Sequence, residues 1–473
     1  MSQSKPLSMA NPAGLTSPSR PGLGLMTLFA VAVGVVVVQG TMVSVLQGAG
    51  IGGYGFMLAI VLAALLALCY VFTFSELSLM LPGAGGISVY TQVAMGHFPA
   101  IVATLAGYPV VAMFALSAEL LLVEFILGQL YPMLFGLPGI GLGLLALLAG
   151  LNLLGVNIFA RVQSLLAFVM LMTLALIGLA GVSELGTIAP TVSVTEFNPL
   201  GLGVLSLVVL AIWAFVGLEF VCPLIPDSRQ PQRHVPLAMI SALVVLTFIY
   251  LLLAWAGLKF VPVMTLAGAE LPHMELVLAL FGDSGMLLLA VAAITATCST
   301  VNTVLATVPR MLAGMADSGQ LPACFAHRRA NGTPWLSILV QALMIAAPVM
   351  LLGHDPDSII MLLISAAAAW IVTYVIAHLD VLVLRRRYPE LPRPFKTPWY
   401  PLPQLLGMAG MGYVFFNNSP SPELSAQVYG NTALVLGLVA LFALAWVRLK
   451  MKKGLFAATP LSHLSLVSQG LNT

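Results

Sequence analysis

The residues Trp213-Ala214-Phe215-Val216-Gly217-Leu218-Glu219 place a glycine and a carboxylate inside a long apolar run. A charge at the centre of a lipid bilayer costs about 3 kcal/mol or more, so such a residue should face a cavity, find a partner or be protonated. Backbone within lipid must satisfy its own hydrogen bonds, so a helix break is tolerated only beside protein or a water-filled cavity. This stretch therefore predicts an interrupted membrane-spanning helix next to a polar cavity.

The first apolar run shows a similar irregularity. Gly34 and Gly40 flank Val38 and Gln39, and Thr41 follows. If each repeat holds five spans, this run and the one containing Gly217 occupy equivalent positions, and paired interruptions point to the binding site of an inverted-repeat transporter. The alternative is that the glycines only allow close helix packing.

The whole chain has the composition of an integral membrane protein. Hydrophobic residues make up 60% and charged residues only 7% of the 473 residues, against about a quarter charged in ordinary soluble domains. A membrane span needs about 20 apolar residues. Twelve such runs start near Gly24, Gly55, Phe98, Leu137, Phe159, Gly201, Val235, Gly285, Pro334, Asp357, Trp399 and Val428. We therefore predict an all-α protein with 12 transmembrane helices.

The positive charges predict the orientation of these spans. With both termini inside, seventeen of the eighteen Lys and Arg residues fall on the inner side, and only Lys259 falls outside. This asymmetry follows the positive-inside rule. We expect a multi-pass protein of the cell inner (plasma) membrane with both termini cytoplasmic, and a short surface helix within the outer segment 259–284.

Motifs of enzymes and of metal or nucleotide sites do not fit this chain. The glycines of residues 48–53 match G-x-G-x-x-G, but they join two spans and lack the required βαβ unit. The sequence contains no G-x-x-x-x-G-K-[ST], H-E-x-x-H or G-x-S-x-G motif, and its four cysteines form no C-x-x-C pair. We expect no catalytic residue, metal, cofactor or nucleic-acid partner.

Three carboxylates lie well within the predicted spans: Glu119, Glu124 and Glu219. Glu219 follows the predicted break, where unwound backbone could line water; the alternative is a neutral acid hydrogen-bonded between helices. Glu119 and Glu124 are five residues apart and do not share one helix face. One could face the cavity and the other a contact between helices, and the sequence does not decide which.

Five stretches in chain order resemble the amino acid–polyamine–organocation superfamily. They are residues 76–90 (Glu-Leu-Ser, then Leu-Pro-Gly-Ala-Gly-Gly and Tyr), 213–219, 231–236, 310–322 (Arg-Met-Leu to Asp-Ser-Gly-Gln-Leu-Pro) and 385–401 (the arginine run, then Arg-Pro-Phe and Pro). The resemblance implies a LeuT-type fold of two inverted five-helix repeats plus two C-terminal helices. The implied divisions are a disordered cytoplasmic tail 1–23, repeats 24–183 and 201–387, two further helices 399–449 and a cytoplasmic tail 450–473.

The resemblance also implies a central site where the unwound backbone of the first and sixth spans receives the substrate. The implied substrate-binding residues are Gln39, Gly40, Thr41, Tyr108, Glu119, Trp213, Phe215, Val216, Gly217, Glu219, Ser299, Asn302 and Ser365. Two departures from the family pattern stand out. The usual G-[ST]-G of the first span is missing, which puts carboxylate recognition there in doubt, and Met170 takes the position of a lysine that some proton-coupled members carry.

These features predict a secondary active transporter, not an enzyme, that moves amino acids across the membrane by alternating access. A polyamine or organocation transporter of the same fold is the alternative, and a non-transporting nutrient sensor is a further one. Proton-coupled symport and exchange both remain open, as do a monomer and a homodimer. The sequence does not identify the substrate or the direction of transport.

Overall fold

A computed structural model describes residues 22–135, 139–183, 197–352, 356–418 and 422–461. Within these ranges the protein is a bundle of helices, and the one β-bridge joins Leu23 to Ser228. Residues 1–21 and 462–473, which hold nearly all of the predicted N-terminal tail and half of the predicted C-terminal tail, lie outside the described residues.

The described residues up to Val182 form nine α-helices. They are α1 (Leu25–Val36), α2 (Gln39–Gly52), α3 (Phe56–Met80), α4 (Ile87–Ala94), α5 (His97–Leu105), α6 (Val111–Leu130), α7 (Pro132–Phe135), α8 (Ile140–Leu153) and α9 (Val156–Val182). A π-helical turn, Ala106–Val110, joins α5 to α6 and contains Pro109.

The described remainder forms nine more. They are α10 (Val208–Ile212), α11 (Pro231–Phe260), α12 (Val263–Gly268), α13 (Pro272–Phe281), α14 (Ser284–Asp317), α15 (Trp335–Leu352), α16 (Pro356–Arg387), α17 (Leu402–Phe416) and α18 (Pro422–Ala445). Shorter 3₁₀ helices cover Gly53–Gly55, Gly201–Leu207, Trp213–Phe215, Leu218–Asp227 and Ala323–Ala326, and a π-helical turn covers Trp446–Lys450. The helices α12 and α13 lie in the outer segment for which a short helix was predicted.

Helical structure occurs in each of the twelve predicted runs. Eight helical stretches of the described residues are long and apolar enough to cross a membrane, and several others, including α8 and α17, are shorter apolar helices. The structure is therefore all-helical in the described residues and agrees with a membrane protein. The count of twelve crossings and the division into two repeats stay predictions.

One face of α9 shows why lipid is the solvent. Leu165 and Phe168 are 63% and 64% exposed, and Met172 and Leu176 continue the same exposed stripe. These positions recur every three or four residues, so they lie on one helix face. In a soluble protein an apolar stripe of this kind would face the core. Here it faces outward, as a lipid-contacting surface does.

The first span is interrupted, as predicted. Between α1 and α2, Val37 (φ −82°, ψ 104°) and Val38 (φ −127°, ψ 165°) are extended. Gly34 lies within α1, where a Cβ atom would come 2.0 Å from the side chain of Gln163. That glycine therefore serves close helix packing, and the break lies at the valines that follow it.

The predicted sixth span is interrupted at the predicted sequence. After the 3₁₀ turn Trp213–Phe215, Val216 is extended and Gly217 has φ 112°, a conformation that favours glycine. The next ten residues, Leu218–Asp227, form a 3₁₀ helix that contains Pro223 and Pro226. The prolines disfavour an α-helix here, because in an α-helix each proline ring would clash with the carbonyl of the residue four positions earlier.

Candidate functional site

The two interruptions lie against each other. A Cβ atom on Gly217 would come 3.1 Å from Cγ1 of Val35, one residue before the end of α1. Helix α1 also packs against the 3₁₀ helix Leu218–Asp227. Four half-helix ends therefore meet in the interior of the bundle, and each presents backbone groups with no partner in its own helix.

Side chains satisfy the carbonyl groups at the end of α1. The hydroxyl of Thr300, from α14, donates to the carbonyl of Gly34 over 2.9 Å. Thr41 Oγ1 donates to the carbonyl of Val36 over 3.1 Å. The hydroxyl of the predicted site residue Thr41 thus bonds across the break and caps the last turn of α1.

A carboxylate satisfies the amide groups at the start of α2. Gln39 N donates to Glu119 Oε2 over 2.9 Å, and Gly40 N donates to Glu119 Oε1 over 3.1 Å. The helix N-terminus carries a partial positive charge and suits an anion. Glu119 is only 1% exposed and has no ion-pair partner among the described residues.

Glu124 has a different position on the same helix. Its Oε1 accepts a hydrogen bond of 2.5 Å from Gly139 N, just before α8. The structure thus places Glu119 at the break and Glu124 at a contact between helices.

Glu219 lies at the start of the 3₁₀ helix that follows the second break. It is 1% exposed, and the hydroxyl of Tyr374 donates to its Oε2. The hydroxyl of Tyr70 donates to the carbonyl of Phe215, which ends the preceding half of the span. In the part of the chain that the structure describes, Glu219 forms no salt bridge. A buried carboxylate held by a neutral donor can exchange a proton or bind a cation.

Aromatic rings enclose this carboxylate. The ring centroid of Tyr374 lies 4.5 Å from that of Tyr70 and 4.2 Å from that of Trp370. Trp213 lies 5.9 Å from Trp370. Such rings provide apolar walls with polar edges, and Trp370 Nε1 has no hydrogen-bond partner among the described residues.

Tyr108 and Phe215 also lie close to the break. The ring of Tyr108 is 5.2 Å from that of Phe220, the residue after Glu219. The ring of Phe215 is 5.6 Å from that of Tyr250 in α11. Both predicted residues are therefore part of the aromatic enclosure.

Two predicted site residues belong to a separate polar network. Ser299 Oγ accepts from Gln163 Nε2 over 2.7 Å, and Asn302 Nδ2 donates to Gln163 Oε1 over 3.0 Å. Gln163 Nε2 also donates to the carbonyl of Ala30 over 3.0 Å, and Asn152 Nδ2 donates to Asn302 Oδ1 over 2.9 Å. The network joins α1, α8, α9 and α14, and it contacts α1 at Ala30, before the break at Val37 and Val38. The side chain of Ser365 lies outside the described residues.

The residue of α9 that contacts α1 and α14 in this network is Gln163, not Met170. Met170 is fully buried, two turns later along the helix. The polar connection at this place is therefore made by a neutral amide. Gln163, Tyr70, Trp370 and Tyr374 were missed by sequence reasoning; the aromatic pair four residues apart in α16 was the one available signal.

Both ends of the bundle are closed over the breaks. At one end, Leu23 N donates to the carbonyl of Asp227 over 2.6 Å, and Arg310 Nε lies 3.5 Å from Asp227 Oδ2. At the other end, Gln47 Nε2 donates to the carbonyl of Ala269 over 3.1 Å, beside the packed helices α2 and α12. The breaks are buried within the bundle, where Gln39, Glu119 and Glu219 are at most 1% exposed.

A carboxylate network stabilises the end that carries Asp227. Glu76, 1% exposed, receives two bonds of 2.8 and 2.7 Å from Arg385, and Arg393 Nε lies 3.3 Å away. Thr397 N donates to the same carboxylate over 2.8 Å. No group of three or more His, Cys, Asp or Glu side chains suited to a metal occurs among the described residues.

The chain is similar to known transport proteins over most of its length. Residues 23–442 match a family model described as amino acid permease. The chain is 25% identical to a serine/threonine exchanger of Bacillus subtilis, over 81% of this chain and 86% of that protein. It is 24% identical to a branched-chain amino acid permease of the same organism, over 80% and 84%. It is 25% identical to a methylthioribose transporter of that organism, over 88% and 90%.

Proposed function

The chain belongs to the amino acid permease family, and on this premise we propose that it is a secondary active transporter of amino acids that works by alternating access. The resemblance found in the sequence is thereby confirmed at the level of the family. Orientation with both termini in the cytoplasm, and location in the inner membrane, are parts of the same proposal.

One observation carries the proposal: two interrupted spans meet in the interior and face two buried carboxylates. Glu119 lies at the start of α2, and Glu219 lies at the start of the helix after Gly217. Unwound backbone at membrane depth is tolerated where it lines a binding cavity. The closed ends and the aromatic enclosure support an occluded state between two open ones.

We assign to Glu219 the role of a protonatable gate. Its hydrogen bond from Tyr374 links the 3₁₀ helix of the sixth span to α16. A change in charge on Glu219 would alter the strength of that link, since hydrogen bonds to ionised groups are stronger than neutral ones. Protonation could then couple solute binding to the relative movement of the two helices. Exchange without proton movement is the competing mode.

Uptake in proteoliposomes tests the function. Purified protein would be reconstituted and offered labelled amino acids and polyamines, with and without a pH gradient and with and without solute inside the vesicles. Saturable uptake of an amino acid is the expected result, and trans-stimulation would identify exchange. Absence of uptake for the whole amino-acid panel, from protein that remains folded, would refute amino-acid transport.

A Glu219→Gln variant tests the gate. We expect transport to fall and its dependence on pH to flatten, because the amide cannot gain or lose the proton. Glu270→Gln is a matched control, since Glu270 is an exposed carboxylate in the loop before α13. Full transport with unchanged pH dependence in the Glu219 variant would eliminate the gate while leaving the transport function intact.

Polyamine or organocation transport is the second candidate. The two carboxylates at the breaks have no ion-pair partner among the described residues, and a buried charge without a partner favours an opposite charge beside it. Uptake of putrescine or spermidine, but of no amino acid, in the same assay would favour this candidate.

A further inference from the structure

The amide pair at the start of α2 is a carboxylate site, and its present occupant belongs to the chain itself. Each oxygen of Glu119 accepts one N–H group, from Gln39 and from Gly40. Two parallel hydrogen bonds from neighbouring backbone amides fit the geometry of a carboxylate. The bound carboxylate of Glu119, and not only the helix end, therefore shows that this site accepts a carboxylate.

Local sequence does not cap this helix end. Val38 occupies the N-cap position and makes no side-chain capping bond. Thr41 N, and more weakly Met42 N, already donate to the carbonyl of Val38, over 3.1 and 3.4 Å. The amides of Gln39 and Gly40 are thus the free donors of the first turn, and Glu119 takes both.

The side chain of Gln39 provides an independent observation at the same position. It is fully buried, and neither its Nε2 nor its Oε1 has a hydrogen-bond partner among the described residues. Buried amide groups in native proteins are nearly always satisfied, and an unsatisfied one calls for an explanation. A polar ligand beside the amide pair would supply the missing partners.

The way in which Glu119 is held differs from that of a structural carboxylate. Glu76 is also 1% exposed, but two arginines and a backbone amide surround it. Among the described residues, the partners of Glu119 are the two neutral backbone amides of Gln39 and Gly40. A carboxylate held by neutral donors can be replaced by another carboxylate without separating an ion pair.

We propose that Glu119 is the resident occupant of the substrate-carboxylate site and that the carboxylate of an incoming amino acid displaces it from Gln39 and Gly40. This inference rests on the proposed function. The displaced Glu119 then pairs with the ammonium group of the same solute. The exchange conserves both the hydrogen bonds of the amide pair and the charge balance of the buried site.

Selectivity for zwitterions follows from this exchange. A carboxylic acid without an ammonium group would displace Glu119 but leave two buried carboxylates without a cation, which is unfavourable. An amine without a carboxylate would find the amide pair already occupied. Only a molecule that carries both groups satisfies both sites, so Glu119 determines specificity for amino acids.

Binding of matched ligand triplets tests the proposal. The probes are valine, isobutylamine and isovalerate, and serine, ethanolamine and 3-hydroxypropanoate. Binding to the full-length protein in detergent is measured by thermal shift and by competition with the labelled amino acid. For the wild type we expect each bound amino acid to exceed its amine and its carboxylic acid by about tenfold or more.

Substitution of Glu119 should abolish the preference for an amino acid over its matched carboxylic acid. In Glu119→Ala, the bare carboxylic acid should bind about tenfold more tightly than in the wild type, and the preference for the amino acid over it should collapse. Glu119→Gln preserves the side-chain shape and one acceptor oxygen, and should show the same collapse if the alanine variant does not fold. Glu124→Gln, a change on the same helix at the Gly139 contact, should leave all ratios unchanged.

The outcomes separate the two levels of inference. If amino acids bind to the wild type but the ratio of amino acid to carboxylic acid is the same in the Glu119 variants, Glu119 is not the displaced occupant, and amino-acid transport stands. If the amine binds as tightly as the amino acid to the wild type, the zwitterion rule is wrong. If no amino acid binds to the wild type, the proposed function fails, and this inference fails with it.

Discussion

Replacement of Gly34 by alanine should lower the stability of the protein, because it disrupts the hydrogen bonds that Gln163 makes to α1 and α14. The added Cβ atom would lie 2.0 Å from Gln163 Nε2 and 2.2 Å from Ser299 Oγ. Ordinary contacts between nonbonded carbon atoms are about 3.5 to 4.0 Å. Gln163 must therefore move by more than an ångström, which breaks its bonds to the carbonyl of Ala30 and to Ser299.

The change in the free energy of unfolding for Gly34→Ala is the sum of three effects. Each lost hydrogen bond contributes about 1 kcal/mol net, and overpacking of a filled core costs about 1 to 3 kcal/mol. Alanine is more favourable than glycine within a helix, and this stabilises the folded state by about 1 kcal/mol. The net decrease in the free energy of unfolding should be about 2 to 4 kcal/mol. It would be measured by denaturant unfolding in mixed micelles, together with thermal stability in detergent.

Two controls make the reasoning refutable. Gly150, within α8, has nothing within 4 Å of an added Cβ atom, so Gly150→Ala should be neutral or slightly stabilising. In a background that already carries Gln163→Ala and Ser299→Ala, Gly34→Ala should cost much less, because the clashing atoms are gone. An equal cost of Gly34→Ala in both backgrounds would show that the steric argument is wrong.

Three further changes have defined outcomes. Tyr374→Phe removes the hydroxyl donor to Glu219 and should lower stability by about 1 to 3 kcal/mol, measured by unfolding in mixed micelles, with a parallel loss of uptake. Arg385→Lys cannot keep both bonds to Glu76 and should cost about 1 to 3 kcal/mol in the same unfolding assay. Burial lowers the pKa of His273, in α13, from 6.5 to about 4. The unfolded chain therefore binds a proton that the folded chain excludes, so stability present above pH 6.5 should decrease as the pH falls towards 4, and His273→Gln should remove this part of the pH dependence of thermal unfolding.

Each of these predictions has a comparison that could contradict it. Tyr413→Phe changes a half-exposed tyrosine in α17 and should be neutral; an equal loss in both tyrosine variants would remove the special role of Tyr374. Arg328→Lys alters an exposed pair with Asp317 and should cost less than about 1 kcal/mol. Identical pH profiles of the wild type and the His273 variant would show that this histidine does not titrate in the unfolding transition.

The positions of the breaks could be predicted from the sequence, because membrane interiors tolerate so few irregular residues. The stretch from Trp213 to Glu219 contains its own break, and Gly217 adopts the positive φ that makes it necessary. In the first span the break lies at Val37 and Val38, between the two glycines that suggested it. The two glycines indicated the region of the break but not the residues that form it. Gly34 is instead needed for close packing of α1 against Gln163 and Ser299.

The partners at the site could not be predicted, because they depend on the rotation and depth of helices distant in the chain. Nothing in one sequence indicates that Glu119 meets Gln39, or that Tyr374 meets Glu219. The family resemblance implied Ser299 and Asn302 at the substrate site, and in the structure both hydrogen-bond to Gln163, a partner that the sequence did not indicate. A polar residue in a span thus indicates a buried interaction without indicating its partner.

The 3₁₀ helix Leu218–Asp227 limits the kind of motion that its half of the span can make. At about 2.0 Å rise per residue, its ten residues extend roughly 20 Å, against about 15 Å for an α-helix of the same number of residues. Rewinding would shorten the segment by about 5 Å, but the rings of Pro223 and Pro226 would then clash with the carbonyls of the residues four positions earlier. Under the proposed alternating access, we therefore expect the segment to keep its length and to move by rotation about Gly217.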